Sequence, residues 1–485
     1  MKKIYLYTLT TALIWGAAGC KKPSDFGDTN VNPAATTTPI ISALLTNAEV
    51  GVAGYASNFT EAISGGQYAQ YFTETQYSGT SLYSTPQNSF TGTYSGILYD
   101  LQNIINLNQS KNTSVAASIL QQYLFWVITD DWGDVPYSEA LKGLDAITPV
   151  YDKQQDIYKG ILTNLTSAVA AFDGSSSLAG DVIYGGDVAK WKKAANSLRM
   201  LVAVQMSKRF PGASDYAATQ FKAALAAGGI TSNADNFQVK FPGGSYKSNW
   251  YSLYDGRKDY AEAQTLTDIM KGFNDTRTNA YGGDSEAAGS TGSSSNGNPY
   301  GLERSKAIAF TDANNDWARV LRGDLRAADG IVYVITSAET WLARAEAANL
   351  GWTGESVRST YKSGIDQSYE QWGVGAPAAG YYTQAGVVVT DAPQPGLTSA
   401  NTKAIAIQRW ITSYPDGHQG WNVWRKSGYP ELTPAPDAVN TSKQIVRRFT
   451  YASTEYGSNT DNVNAAVARL TGGDSQDSRV WWDVQ

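Results

Sequence analysis

The chain has 485 residues, with 38 basic and 44 acidic side chains and a formal net charge of −6. Hydrophobic residues at 42% and charged residues at 17% exclude a disordered chain, and without a basic cluster the sequence has no electrostatic footprint for a nucleic acid. The single cysteine excludes an intramolecular disulfide, and the single histidine excludes a histidine-rich metal centre.

The first 20 residues have the pattern of an exported lipoprotein. Two lysines precede an apolar run over 4–18, which is too short to cross a bilayer as a helix but has the length of a secretory signal. Small residues then precede Cys20, an arrangement that resembles a bacterial lipobox. We therefore predict a signal peptide at 1–19 and a diacylglyceryl anchor on Cys20, because several acyl chains hold a protein firmly to a membrane.

The residues after the cysteine are typical of a tether. Proline occurs at positions 23, 33 and 39 among Gly, Asp, Asn and Thr, so we expect an extended arm without helix over 20–39. From residue 40 onward the composition is that of a folded protein, and 40–485 is predicted to be a single large domain.

Apolar residues recur at helical spacing through the first half of this domain. The segments with this pattern are 40–56, 94–109, 114–129, 153–172, 187–210 and 215–227. Asp152 and Asp187 each precede a polar first turn and an apolar stripe, so we expect them to cap the fourth and fifth of these helices.

The clearest helix pair lies late in the chain. Residues 336–350 carry an apolar stripe, 351–354 break it with two glycines, and 355–372 resume it. Small alanines stand where the two helices must approach, and the total length fits a tetratricopeptide-type repeat. We therefore predict a mainly α fold built as a tetratricopeptide-like scaffold of helix pairs, with Trp341 and Trp372 in its core.

Long polar segments separate the helices. They are rich in Gly, Asn and Ser and cover 228–258, 272–316, 373–400 and 430–485. Loops of this length usually carry function, so we expect long irregular excursions from the helical scaffold. Short strands are predicted near 331–334 and 386–389.

Catalytic and metal chemistry has few candidates. His418 lies in a Gly-rich stretch and is expected to be a hydrogen-bonding loop residue rather than a base. Asp130, Asp131 and Asp134 lie within five positions and are interpreted as capping and hydrogen-bonding residues of a turn, with a glycosidase pair as the alternative. The segment 312–316 has oxygen ligands at calcium-loop spacing but lacks the turn glycine and the final glutamate, so only a looser calcium site remains open. No catalytic residue, metal site or cofactor is predicted.

Aromatic residues within the polar segments are the candidate ligand-binding residues. A sugar ring has an apolar face that stacks on an exposed aromatic ring, while nearby Asn, Gln and Asp bond its hydroxyls. The candidates are Tyr77, Tyr83, Trp250, Tyr254, Tyr281, Tyr300 and Trp317. For each of them, a role as a loop anchor in the protein core is the alternative.

Short motifs in a fixed order resemble the SusD/RagB family of Bacteroidetes outer-membrane lipoproteins. They begin with Cys20 and a "D-x-N-x-N-P"-like arm, continue with a "G-D-V-P-Y" turn and an "L-x-x-A-E-A" helix, and end in Trp-Trp-Asp, as in one branch of the family. In this sequence they occupy 25–33, 132–140, 342–347, 407–410, 420–432, 447–451 and 480–483. Lys21 and Lys22 depart from the acidic residues that often follow the cysteine.

The resemblance implies a function as well as a fold. It implies a non-enzymatic lipoprotein, anchored in the outer membrane and displayed at the cell surface, that lies over a SusC-like TonB-dependent transporter. Such a protein captures oligosaccharide or another nutrient and passes it into the pore. A peptide-binding member of the same architecture is one alternative, and a lipid-anchored glycoside hydrolase using Asp131 and Asp134 is another. Ligand identity does not transfer with the motifs.

Overall fold

The computed structural model describes residues 39–84, 87–174 and 176–484. The predicted signal peptide, Cys20 and the arm up to residue 38 lie outside the described residues, so the boundaries at 19 and 39 stay predictions. Residues from Ile41 onward form one compact unit. Within the described ranges, no helix combines the length and the apolar character needed to cross a bilayer.

The described chain is mainly helical, as predicted. The helices are α1 Ile41–Tyr55, α2 Glu61–Tyr68, α3 Tyr99–Leu107, α4 Lys111–Trp132, α5 Gln154–Ala171, α6 Val188–Gln205, α7 Tyr216–Ala227, α8 Asn249–Ser252, α9 Gln264–Gly272, α10 Thr278–Tyr281, α11 Arg304–Ala313, α12 Ser337–Asn349, α13 Val357–Trp372, α14 Ala400–Ser413, α15 Gly417–Ser427, α16 Ser453–Ser458 and α17 Thr460–Val467. A helical turn at Thr91–Thr93 and a π-helical turn at Tyr94–Leu98 lead directly into α3. Single 3₁₀ turns occur at Gly143–Ala146, Met206–Lys208, Asn233–Asp235 and Tyr381–Thr383.

Consecutive helices pack against each other along the chain, which is the arrangement of a helical-repeat scaffold. Helices α3 to α7 contact one another in sequence, and α12 contacts α13, α14 and α6. All six helices predicted in the first half of the domain are confirmed within a few residues. Asp187 caps α6, since its carboxylate accepts hydrogen bonds from the N–H groups of Ala189 and Lys190.

The predicted pair at 336–372 is present as α12 and α13. Thr336 and Glu339 form a capping box at the start of α12, with the Glu339 N–H donating to the Thr336 hydroxyl at 3.1 Å. Gly364 marks the closest approach of the two helices, because a Cβ there would lie 2.6 Å from Leu342 Cγ. Trp372 is buried as predicted, but Trp341 is half-exposed, with the Arg344 guanidinium 3.7 Å from its ring centroid.

Helix α2 shows why periodicity missed several elements. Its sequence contains Gly65 and Gly66, which disfavour a helix by propensity, yet the whole helix is buried. A Cβ on Gly65 would lie 2.8 Å from the backbone oxygen of Gly417, and one on Gly417 would lie 1.9 Å from the oxygen of Ala62. The glycines are therefore required by the close approach of α2 and α15.

The strands are short and occur as antiparallel pairs. They are β1 Phe72–Glu74, β2 Val135–Pro136, β3 Tyr151–Asp152, β4 Phe237–Lys240, β5 Tyr260–Glu262, β6 Gly282–Gly283, β7 Arg319–Val320 and β8 Ile331–Ile335, paired as β1–β5, β2–β3, β4–β8 and β6–β7. The strand predicted at 331–334 is confirmed as β8. The one predicted at 386–389 is wrong: Val387 and Val389 are buried, but they follow Gly386 at φ 80° in a turn without a partner strand.

Two adjacent aspartates at the end of α4 join distant parts of the fold. Asp130 accepts hydrogen bonds from Asn422 Nδ2 at 2.8 Å, from Trp482 Nε1 at 2.7 Å and from the Tyr158 hydroxyl. Burial raises the pKa of Asp130 to about 7, although the hydrogen bonds from Tyr158 and Trp482 and the charge of Arg425 oppose the shift. The hydrogen bonds tie α4 to α5, α15 and the segment 480–484.

His418 and Asp131 form a second buried connection. His418 lies in the first turn of α15, not in a loop as predicted, and its Nδ1 is 2.9 Å from Asp131 Oδ2 with both side chains fully buried. The ring stacks on Tyr55 with centroids 5.3 Å apart. Burial opposes the imidazolium charge, but the charge of Asp131 and its hydrogen bond outweigh burial and raise the pKa of His418 to about 9.

A buried Arg–Asp pair connects the 275–277 turn to α13 and α14. The Arg277 guanidinium donates to both oxygens of Asp275, at 3.0 and 2.6 Å, and both side chains are fully buried. It also donates to Ser368 at 3.0 Å and to Gln408 at 2.8 Å. The polar atoms of both side chains therefore have hydrogen-bond partners within the core.

Replacing Arg277 by methionine should lower the free energy of unfolding by about 3–5 kcal/mol, because it leaves the Asp275 carboxylate buried without its counter-charge. The control is Lys271→Met, which breaks an exposed pair with Asp268 (2.7 Å) and should cost about 0.5 kcal/mol or less. Urea denaturation of both variants measures the difference. Equal losses in the two variants would contradict the role assigned to the buried pair.

Stability should also fall as the pH rises through the pKa of His418. The folded-state value lies above the ordinary value of 6.5, so the ion pair contributes fully below about pH 6.5 and its contribution is lost towards pH 9. The expected loss over this interval is about 3 kcal/mol.

The measurement is urea denaturation at several pH values between 6.5 and 9.5, for the parent protein and for His418→Gln. The variant should be less stable throughout, since Asp131 loses its partner, but its pH dependence should be flatter. An equally steep decline in both proteins would assign the dependence to other groups, such as the buried Glu49.

Candidate functional site

The carboxylates considered for glycoside hydrolysis are engaged in structural contacts. Asp130 and Asp131 are fully buried in the connections described above. Asp134 forms an ion pair with Arg469, and its Oδ1 accepts a hydrogen bond from the Gln154 N–H at 2.8 Å. Asp134 thereby supplies the first turn of α5 with an acceptor. The three aspartates do not form an exposed pair around an open site.

Asp152, predicted to cap α5, has a different role. Its Oδ2 accepts hydrogen bonds from the N–H groups of Tyr137 (2.9 Å) and Ser138 (2.8 Å). The carboxylate thus faces the turn after β2, and the residue immediately before α5 is Lys153. The prediction was wrong because a second aspartate, Asp134, reaches the helix start from a distant position in the sequence.

The calcium-like segment at 312–316 belongs to the end of α11 and the turn after it. Asn314 and Asp316 are engaged with the Asn296 amide, which donates to Asp316 Oδ1 at 3.1 Å. Over the ranges that the structure describes, His, Cys, Asp and Glu side chains do not form a group of three or more suited to a metal ion.

The structure divides the seven aromatic candidates. Tyr77 is 60% exposed. Six are buried, namely Tyr83, Trp250, Tyr254, Tyr281, Tyr300 and Trp317. Buried rings expose little of their faces, so these six do not form the exposed stacking surface that was expected, although Tyr83 and Trp250 each contribute to the wall of a pocket.

The buried rings anchor the polar loops to the helices. The Tyr254 hydroxyl donates to the Tyr260 carbonyl at 2.9 Å and accepts from the Val320 N–H at 2.8 Å. Tyr281 stacks on Tyr414 with centroids 4.4 Å apart. Because polar residues flank these aromatics, local composition indicates a surface loop even where the loop folds onto the core.

A cluster of exposed and half-buried side chains surrounds Tyr77, and we call Tyr77, Arg257, Asp259, Tyr260 and Arg304 the Tyr77 surface. The Arg304 guanidinium lies 5.3 Å from the Tyr77 ring centroid. Arg257 donates to Asp259 at 2.6 Å, and this hydrogen bond raises the pKa of Arg257, with smaller contributions from Tyr77 and Tyr260. The cluster combines two tyrosine rings with two arginine side chains, which are charged hydrogen-bond donors.

The β1–β5 pair positions this surface. Glu74 in β1 lies opposite Tyr260 in β5, and the Thr75 N–H donates to the Asp259 carbonyl at 2.8 Å. The loop that carries Tyr77 begins at the end of β1, whereas Arg257 and Asp259 immediately precede β5. Strand pairing therefore brings together residues that are about 180 positions apart in the sequence.

Glu74 fixes the loop that carries Tyr77. Its buried Oε2 accepts hydrogen bonds from the Ser81 N–H at 3.0 Å and from the Ser81 hydroxyl at 2.9 Å. Burial raises the pKa of Glu74 to about 7, while the Ser81 hydrogen bonds oppose the shift. The loop is closed across its base, and sequence reasoning missed Glu74 because an isolated glutamate carries no local signal of burial.

The sequence matches the SusD-like family described as "Starch-binding associating with outer membrane" over residues 32–452. The fold is similar to that of a chitin-binding SusD homologue from Flavobacterium johnsoniae, with a TM-score of 0.76 and 24% identity over 91% of this chain and 99% of that one. The sequence has no match among curated proteins.

Two further solved structures have the same fold. A SusD homologue from Bacteroides uniformis gives a TM-score of 0.75 at 24% identity, over 91% of this chain and 99% of that one. A homologue from Bacteroides thetaiotaomicron gives 0.77 at 22%, over 92% and 100%. At these identities the structures establish the fold, and the family match covers most of the sequence. This chain therefore belongs to the SusD/RagB family of SusD-like proteins.

Proposed function

We propose that this protein is a lipid-anchored outer-membrane protein that binds a glycan at the cell surface and delivers it to a SusC-like TonB-dependent transporter. The family match over 32–452 carries the proposal, since that family is described as starch-binding and associated with the outer membrane. A relative of the same fold is described as chitin-binding. Starch and chitin oligosaccharides are therefore the first ligands to test.

The Tyr77 surface is the proposed contact with the glycan. The exposed ring of Tyr77 offers the apolar platform on which a pyranose face stacks, and Tyr260, which like Tyr77 lies near the Arg257 guanidinium, adds a second, half-buried ring. Arg257, Arg304 and Asp259 supply donors and an acceptor for sugar hydroxyls. Because Glu74 and the β1–β5 pair hold the loop, little conformational entropy is lost when a ligand binds.

The surroundings of the carboxylates considered for hydrolysis support binding without hydrolysis. Hydrolysis requires two carboxyl groups on opposite sides of a scissile bond, at a separation that leaves room for the sugar. Asp131 is buried against His418, and Asp134 is committed to Arg469 and to the start of α5. The protein therefore presents its ligand to the transporter unchanged.

The deciding experiment uses the full-length protein, purified in detergent, in calorimetry against starch, chitin and other oligosaccharides, with a peptide panel beside them. Product analysis accompanies each titration. Saturable glycan binding without cleavage products supports the proposal. Binding to peptides alone would change the proposed ligand from a glycan to a peptide. Release of reducing ends that disappears in Asp134→Asn would instead establish the hydrolase.

Replacing Tyr77 by alanine should weaken binding of the glycan identified in this way by about tenfold, because the stacking face is lost. Thermal stability should be unchanged, since the ring is mostly exposed. Tyr99→Ala is the matched control: this tyrosine is 48% exposed but lies on α3. Equal affinities for the Tyr77 and Tyr99 variants would remove the Tyr77 surface from the proposal.

Replacing Cys20 by alanine should release the protein from the outer membrane and leave the fold intact, because the anchor is the lipid on this thiol. Membrane fractionation and immunoblotting measure the release, and circular dichroism checks the fold. Retention of the variant in membranes that also lack the partner transporter would contradict lipid anchoring.

A further inference from the structure

A cleft of about 590 Å³ is separate from the Tyr77 surface, since none of its lining residues belongs to that surface. Its walls come from Gly133 and Asp134 after α4, the start of α5, the turn after α6 and the segment 469–484. We call it the Trp481 cleft and define it by Lys153, Gln155, Arg209, Asp477 and Trp481. Its volume lies within the range of ordinary small-molecule pockets, about 300–1,000 Å³.

Trp481 is an unusual side chain in this structure. Among the tryptophans that the structure describes, only Trp341 and Trp481 are not buried, and the ring of Trp341 is covered by Arg344. Trp481 is held in place because its backbone N–H donates to Gln154 Oε1 at 2.7 Å and its ring meets Tyr158 edge-on, with centroids 5.9 Å apart. The cleft therefore contains a fixed, partly open indole ring.

The basic residues of the cleft are not all neutralised. Arg469 pairs with Asp134, and Arg479 pairs with Asp483 at 2.7 Å. Arg209 and Lys153, by contrast, have no acidic partner within the described part of the chain. Arg209 donates one hydrogen bond, from Nε to the Trp481 carbonyl at 2.6 Å, and its guanidinium lies 5.7 Å from the Trp481 ring centroid.

These features together favour a negatively charged ligand with an apolar face. A guanidinium has five N–H donors, and Arg209 uses one of them on the protein. The remaining N–H groups are free to donate paired hydrogen bonds to a carboxylate or sulfate group. Lys153 adds a second positive charge at the same cleft. Four basic side chains (Lys153, Arg209, Arg469 and Arg479) and three acidic ones (Asp134, Asp477 and Asp483) line the cleft, so its lining has a net charge of +1 (4 − 3) on a protein whose net charge is −6.

We propose that the Trp481 cleft binds an anionic sugar, with the pyranose ring stacked on Trp481 and its carboxylate or sulfate group bound by Arg209 and Lys153. Gln155 and Asp477 bond the sugar hydroxyls. The inference goes beyond the proposed function, because it assigns a second site and a different ligand class, and neither the Tyr77 surface nor the transporter enters into it.

The test measures binding of trigalacturonate to the full-length protein in detergent by calorimetry. Its fully methyl-esterified form is the neutral control, and a sulfated carrageenan tetrasaccharide distinguishes sulfate from carboxylate. Trigalacturonate or the sulfated sugar should bind, and the neutral ester should bind about tenfold more weakly or not at all. The affinity should fall as salt is raised, because the groups that pair are accessible to solvent.

The double variant Lys153→Ala/Arg209→Ala should bind the anionic sugar about tenfold or more weakly than the parent protein. The single variant Arg209→Lys keeps both positive charges and should lose less affinity than the double variant. Both replaced side chains are exposed, so the fold should be retained, which circular dichroism verifies. Arg304→Ala, an exposed arginine at the Tyr77 surface, is the matched control and should bind the anionic sugar normally.

Failure of both anionic sugars to bind would overturn the inference, as would equal binding by the parent and the double variant. Loss of affinity in Arg304→Ala but not in the double variant would move the anion to the Tyr77 surface and also overturn it. The neutral-glycan titrations with Tyr77→Ala are independent of these results, so the failure of either proposal can be recognised separately.

Discussion

The fold depends on the burial of the Asp130 carboxyl at the end of α4. A carboxyl group that is removed from water without hydrogen bonds costs several kcal/mol, so the group is tolerated only if donors surround it. Its donors come from Tyr158, Asn422 and Trp482, which lie 28, 292 and 352 positions away. One side chain thus requires α5, α15 and the segment 480–484 to meet at α4. The adjacent Asp131 holds His418 in the same region.

This requirement explains why the polar segments are not loose excursions. The segment 430–484 carries Trp482 into the core and supplies Arg469 to Asp134, so it belongs to the scaffold rather than to its surface. Aromatic side chains elsewhere have the same function, as Tyr254 does between β5 and β7. Tyr77 remains in solvent because its loop is closed at the base by Glu74 and Ser81, before the ring can reach the core.

The sequence was sufficient for the helical class, for the helix pair α12–α13 and for the family, because these depend on local periodicity and on ordered motifs. It was insufficient where a distant contact decides the outcome. Helix α2 exists despite its glycines because α15 approaches closely, and Asp134 takes the place expected of Asp152 at the start of α5. Six of the seven candidate aromatics are buried for a related reason, since polar neighbours do not reveal whether a loop folds onto the core. The Trp481 cleft has no local signature, because its walls are separated by more than 300 positions.

The long sequence separation between Trp482 and Asp130, which are joined by a hydrogen bond, also limits the order in which this protein can fold. A ribosome makes residue 130 long before residue 482. Closing a loop of this length also costs conformational entropy, and that cost precedes any stabilisation from the contact. Until then the polar end of α4 has an incomplete set of donors, which disfavours burying it. A nascent chain can therefore form individual helix pairs, but the packing around α4 becomes complete only when nearly the whole polypeptide has been synthesised.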